Sequence, residues 1–139
     1  MKHYIYLGLI LILTFTIITG CASKNDVKNS KNNTSNGYEQ ITPDEAKALM
    51  DNEDDFIILD VRTEEEYATE HITNAILIPD YEIAEKAESI LTDKDQLILV
   101  YCRSGRRSKN AASTLATLGY TNVKEFGGII DWKYDTITE

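Results

Sequence analysis

The run Leu97-Ile98-Leu99-Val100-Tyr101 has no charged residue and no alternation of apolar with polar. A strand with one wet face alternates, so this run predicts a strand covered on both faces, as in a parallel sheet. Phe56 to Leu59 is a second such run. Shorter strand candidates are Tyr38 to Ile41, Ala75 to Ile78 and Asn122 to Phe126. Helical patterns separate them. Thr42-Pro43-Asp44-Glu45 is a capping box with proline at the first helical position, and it predicts a helix through Met50. Thr63 to Glu66 repeats the box and opens a short helix to about Glu70. Ile83, Ala84, Ala87, Ile90 and Leu91 keep helical spacing, with Asp80 as candidate cap. Ala111, Ala112, Leu115 and Leu118 do the same, and Gly119 stops that helix. A last short helix is expected over Ile129 to Tyr134. Strands alternating with helices predict an α/β fold with a mostly parallel five-stranded sheet, flanked by helices on both faces.

In such sheets a ligand sits beyond the carboxyl ends of the strands. Cys102 stands there, followed by Arg103-Ser104-Gly105-Arg106-Arg107-Ser108 and then a helical pattern. Successive N–H groups of a tight loop can point inward, and the next helix adds its positive end. Both favour thiolate over thiol, whose free pKa is ~8.5. Asp60-Val61-Arg62 ends the other buried run, so two segments converge on one sheet edge.

The beginning of the chain reads as an export signal over 1–20. Met1-Lys2-His3 is basic, and Ile5 to Ile18 is uncharged. That stretch is shorter than the ~20 residues of a membrane span and suits a signal-peptide core. Ile18-Thr19-Gly20-Cys21 resembles the lipobox of bacterial lipoproteins. The resemblance implies a lipidated Cys21, membrane attachment through that lipid and an extracytoplasmic location. A plain transmembrane anchor with an incidental cysteine fits less well, because the core is short and a small residue precedes Cys21. Residues 21–37 then form a linker: Ala22 to Gly37 hold five Asn, three Ser and three Lys, with Val27 the only sizeable aliphatic. Such a segment buries too little to fold. The chain has two cysteines. With Cys21 acylated, Cys102 has no intramolecular partner, which marks a candidate reactive thiol.

Residues 38–139 form one domain with no internal repeat. It carries ten Lys and Arg against twenty-two Asp and Glu, which argues against nucleic acid as a partner. Four of those ten cations are Arg103, Arg106, Arg107 and Lys109. An acidic body with one basic spot points to a small anion bound at that spot. No His/Cys cluster has zinc spacing, so no metal is expected, and no cofactor either.

Cys-x-x-Gly-x-Arg after a strand, with Asp60-Val61-Arg62 upstream and Gly127-Gly128-Ile129-Ile130-Asp131-Trp132 downstream, resembles a single-domain rhodanese, a sulfurtransferase. The likeness covers about Tyr38 to Trp132 and includes Asp60 to Tyr67, His71-Ile72 and Ala75 to Pro79. Glu70, Thr73 and Asn74 depart from it, standing where the family usually has Gly, Pro and Gly. The resemblance implies that the Cys102 thiolate takes the outer sulfur of a donor such as thiosulfate as a persulfide. A thiol or cyanide acceptor then removes it, which is covalent catalysis in two steps. The N–H groups from Arg103 to Ser108 are expected to hold the persulfide anion. Arg107, on the family's loop arginine, binds the donor's anionic end or holds the loop. Arg103 and Arg106 are expected to face substrate. Ser104 and Ser108 donate hydroxyl bonds or cap the helix, with capping favoured for Ser108. Asp60 and Arg62 are expected as supporting structure. His71 is set aside as a packing or surface residue. Trp132 reads as packing, and Gly127-Gly128 as a turn.

Two rivals share these residues. Cysteine phosphatases and arsenate reductases use a related loop with five residues between Cys and Arg, where this chain has four, Arg103 to Arg106. Tyr101 also stands where a phosphatase usually has His. A non-catalytic sulfur carrier or sulfide sensor would need the same loop as the enzyme.

Overall fold

The computed structural model describes residues 37–139. The expected signal, Cys21 and the linker as far as Asn36 lie outside the described residues. The described elements are β1 (Glu39–Gln40), α1 (Pro43–Asn52), β2 (Phe56–Asp60), α2 (Glu64–Thr69), β3 (His71–Ile72), β4 (Ile76–Leu77), α3 (Ile83–Ile90), β5 (Leu97–Cys102), α4 (Arg106–Thr117), β6 (Val123–Gly128) and β7 (Thr136–Ile137).

The two apolar runs become the central strands. The sheet order is β1-β6-β5-β2-β4, and every pair in it is parallel. In register, Phe56 lies opposite Leu97 and Asp60 opposite Tyr101. One face buries Ile98, Val100 and Cys102 under Ile83, Ala87, Ala111 and Leu115 of α3 and α4. The other buries Leu97, Leu99, Tyr101 and Phe126 against Ala46, Leu49 and Met50 of α1. Helices thus cover both faces, as the absence of alternation requires. Truncating a fully buried Leu99 to Ala in such a core costs about 2–5 kcal/mol.

Both capping boxes form. Thr42 Oγ1 accepts from Glu45 N at 3.2 Å, and Glu45 Oε2 accepts from Thr42 N at 2.7 Å. Thr63 and Glu66 do the same at 3.3 and 3.2 Å. Helix α4 ends at Gly119 as expected: Gly119 N donates to Ala116 O and Tyr120 N to Leu115 O, a Schellman closure.

Five local features differ from the sequence expectations. Asp80 does not cap α3. It opens a 3-10 turn, Asp80–Glu82, and Glu82 precedes α3 without a side-chain cap. The Asp80 N–H is tied to Val61 O at 3.1 Å, which holds that segment against the end of β2. The helix expected over Ile129 to Tyr134 shrinks to a 3-10 turn, Ile129–Asp131. Trp132 turns extended there and packs its ring against Phe126 and Tyr134, at 5.6 and 4.9 Å between centroids. The chain then runs into β7, which pairs antiparallel with β3 in a ribbon of two-residue strands too short to leave a period in the sequence. Gly127-Gly128 is the end of β6 rather than a turn. The pairing of β5 with β6 shifts between Val100 and Cys102, bringing Cys102 opposite Gly128. Finally, Asn74 adopts φ 65° where the family resemblance has glycine. Asn is enriched in that left-handed region, so the turn survives the substitution.

His71 is a packing residue. Its ring stacks on Tyr67 at 3.7 Å, and Nδ1 lies 2.8 Å from the Tyr67 carbonyl oxygen.

Candidate active site

Strand β5 delivers Cys102 to the carboxyl edge of the sheet, and the chain must then reverse into α4 within three residues. Gly105 makes the reversal at φ 95°, a conformation that costs a glycine little. The turn swings the Gly105 N–H onto Cys102 Sγ at 3.1 Å. Beneath the loop, Gly128 of β6 supports Arg103. A methyl group at Gly128 would lie 2.1 Å from the Arg103 carbonyl oxygen, so the strand passes there only without a side chain. The Ile130 N–H donates to that same oxygen at 3.3 Å.

The sulfur is almost fully enclosed, with Cys102 1% exposed. Burial pushes the thiol up. The Ser108 hydroxyl and the N–H groups of Ser108, Ser104 and Gly105 oppose it, and the net shift is downward. Backbone donors converging on a buried sulfur thus favour the thiolate without a neighbouring cation in contact. Of the residues expected to make the cradle, Ser104, Gly105 and Ser108 direct groups at Sγ. Arg103 and Arg106 are exposed at its mouth, and their side chains make no hydrogen bond or ion pair among the described residues.

Arg107 is the second residue of α4. Its guanidinium grips the Glu66 carboxylate with two bonds, at 2.7 and 2.8 Å, tying the first turn of α4 to α2. The Arg107 fork is the main cause that holds Glu66 down to about 2, against the opposing effect of burial. Arg107 itself is pushed up, chiefly by Glu66.

Ser108 does not cap α4. It is the third residue of that helix, and Gly105 occupies the cap position. The buried Ser108 Oγ lies 3.4 Å from Cys102 Sγ and donates to Glu125 Oε1 at 2.6 Å. Glu125 was not anticipated. It is 2% exposed, and its Oε1 also accepts from Gly127 N at 2.8 Å. Its sequence signal was a carboxylate inside the strand Val123-Lys124-Glu125-Phe126, at a position sharing the inward face with Val123. Glu66 was noticed only as a helix cap.

Asp60 and Arg62 form a buried ion pair, 0% and 4% exposed. Arg62 Nη2 reaches Asp60 Oδ2 at 2.6 Å and the Glu70 carbonyl at 2.6 Å. Its guanidinium lies 5.6 Å over the Tyr101 ring. Burial works against the Arg62 cation, but Asp60 outweighs it and the net shift is upward. Burial, with Asp60 beside it, pushes the Tyr101 phenol strongly up, so it stays neutral and accepts from Ile72 N at 3.1 Å. These residues brace the strand that presents Cys102.

Comparison with known proteins finds the same organisation. The chain is 41% identical over 73 residues to the thiosulfate sulfurtransferase PspE of Escherichia coli strain K12, covering 52% of this chain and 70% of that protein. It is 36% identical over 97 residues to the thiosulfate sulfurtransferase GlpE of Coxiella burnetii, covering 69% and 88%. A solved structure described as a rhodanese with anions from E. coli superposes with a TM-score of 0.57 at 36% identity, covering 60% of this chain and 99% of that one. The family model for the rhodanese-like domain matches residues 42–135, from the cap of α1 to the approach to β7, and the chain belongs to that family.

Proposed function

We propose that the chain is a rhodanese-type sulfurtransferase in which Cys102 carries a sulfane sulfur from a small anionic donor, such as thiosulfate, to a thiol or cyanide acceptor. The observation that carries this reading is a buried thiol held below its ordinary range by converging N–H donors. Two relatives named as thiosulfate sulfurtransferases support it. The Cys102 thiolate attacks the outer sulfur of the donor, the bond to the sulfonate sulfur breaks, and sulfite leaves with the bonding pair. The persulfide keeps a negative charge, which the loop N–H groups stabilise in a site closed to water. Arg103 and Arg106, exposed at the mouth, draw the anion inward. An acceptor nucleophile then takes the outer sulfur and returns the electron pair to Cys102.

Incubating the full chain with thiosulfate should add one sulfur atom to the Cys102 peptide by mass, and cyanide should remove it as thiocyanate. Cys102→Ser should lose the adduct and the turnover while keeping a wild-type circular dichroism spectrum. Transfer persisting in the Ser variant refutes the assignment.

The location belongs to the same proposal. Ile18-Thr19-Gly20-Cys21 supports a lipoprotein anchored through Cys21 on the outer side of a membrane. In that case Cys21→Ala blocks lipid attachment and processing. Wild-type protein recovered as a soluble species with Met1 intact would refute that location.

A further inference from the structure

Between α1 and the segment that follows Asp131 lies a groove of about 470 Å³. Phe56 and Ile58 of β2 form its floor, with Ile72 of β3 beside them. Trp132 and Tyr134 form an aromatic wall, supplied by the chain where it leaves the 3-10 turn at Asp131 and runs extended. The groove is separate from the catalytic loop. None of residues 102–108 lines it. Its floor belongs to the core on the α1 side of the sheet, whereas Cys102 belongs to the core on the α3 and α4 side. Pockets for small organic molecules run roughly 300–1,000 Å³, with apolar walls and a few placed polar groups.

The wall is held in place by its own bonds. Trp132 Nε1 donates to the Asp135 carbonyl at 3.4 Å, and the Tyr134 hydroxyl donates to Asp44 Oδ1 at 2.9 Å. The two rings meet edge-on at 4.9 Å between centroids. A wall fixed in advance lowers the ordering cost of binding.

Charge at the groove is one-sided. Asp54 and Asp135 line it and are exposed, and neither carboxylate forms an ion pair or a side-chain hydrogen bond among the described residues. The nearby cations are engaged elsewhere. Lys47, also in the lining, gives both of its hydrogen bonds to Asp51, and Lys133 pairs with Asp44. The Lys47 ammonium rests 5.4 Å from the centroid of Tyr134, so the fold itself sets a cation against this aromatic wall.

We propose that the groove binds a small arylalkyl ammonium. The aromatic body packs on Phe56, Trp132 and Tyr134. The primary ammonium, with three N–H donors and no acceptor, serves the two free carboxylates. Carboxylates without counterions and the negative faces of aromatic rings both attract positive charge. An anion of the same shape meets two carboxylates and no free cation.

The test is titration of the full chain with 2-phenylethylamine as its ammonium salt. Trp132 is the only tryptophan of the chain, so indole fluorescence reports directly on the wall. The signal should saturate with a Kd of about 1 mM or tighter. The anion of matching shape, 3-phenylpropionate, should bind at least about tenfold more weakly, because it brings like charge to the carboxylates. A signal that never saturates, or equal affinity for the amine and the acid, overturns the proposal without any variant having to fold. Asp54→Asn and Asp135→Asn should each weaken the amine by about three- to fivefold, as for exposed ion pairs. Glu85→Gln removes one exposed charge from α3, on the other side of the sheet, and should leave the affinity unchanged. An equal loss in Glu85→Gln would mean that the acidic domain gathers cations at large, and would overturn the site. Binding needs neither a sulfur donor nor Cys102, so Cys102→Ser should bind the amine as the wild type does. Loss of binding in that variant would place the amine in the catalytic loop and overturn the groove as its site.

Discussion

Gly128 lies where β6 passes beneath the carbonyl of Arg103, and there is no room for one more carbon atom. The three nearest atoms to an added methyl all belong to the backbone of Arg103 and Ser104, at 2.1, 2.5 and 2.6 Å, so no side chain can swing aside. Gly128→Ala should therefore lift the loop from Cys102 and cost about 1–3 kcal/mol of stability, the range for overpacking. Thermal unfolding together with Cys102 alkylation checks it: a variant with wild-type Tm and wild-type alkylation would refute the steric account. The neighbouring Gly127 meets nothing within 4 Å, although its φ is 90°, so the two glycines answer different demands of the backbone. The cysteine, the loop glycine and the loop arginine were legible because they are contiguous in the chain. Glu125 and Glu66 were not, because the contacts that give them roles span 17 and 41 residues and depend on strand order.

Helices α2 and α4 are joined by the Arg107–Glu66 pair, and this link has a definite pH signature. Glu66 is lowered from the usual 4.5 to about 2. A carboxylate depressed on folding favours the native state most above its unfolded value, so the contribution is complete above about pH 4.5 and is lost as the pH falls through 2. Glu66 is 29% exposed at its side chain, so solvent screening keeps the pair to roughly 1–2 kcal/mol. Arg107→Ala should remove this and lower kcat/KM for thiosulfate by loosening the first turn of α4. Arg107→Lys should fall between, since it keeps the charge and loses the planar fork. Chemical denaturation at neutral pH and near pH 2 tests this: the gap between wild type and Arg107→Ala should narrow in acid, and an unchanged gap would show that Glu66 is not the partner that matters. The capping boxes that start α1 and α2 could be read directly, because capping is a matter of residues three apart. The β3–β7 ribbon could not, since each strand has two residues and its pairing reaches from His71 to Ile137.

Across the whole molecule, charge and topology set the constraints. The domain is acidic, yet Arg103 and Arg106 stand exposed at the mouth of the only described loop that encloses a cysteine. Fields from exposed charges fade over about 8 Å at physiological ionic strength, so added salt should raise KM for thiosulfate while leaving kcat nearly unchanged. A KM insensitive to salt would mean that the loop N–H groups alone capture the donor. The acidic excess and the basic spot were both visible in composition, whereas the arrangement of strands came only with the fold. Strand β1 has a single partner, β6, with Glu39 opposite Lys124 and Gln40 opposite Glu125. The side-chain pair across that edge spans 85 residues. Pairing between such distant segments slows folding, because the chain must close a long loop before the contact repays it. The first described strand to leave a ribosome is therefore unable to settle until β6 has followed it. A nascent chain stalled before Val123 would have no place for β1, and the carboxylate that holds the Ser108 hydroxyl would arrive only with the strand that closes that edge.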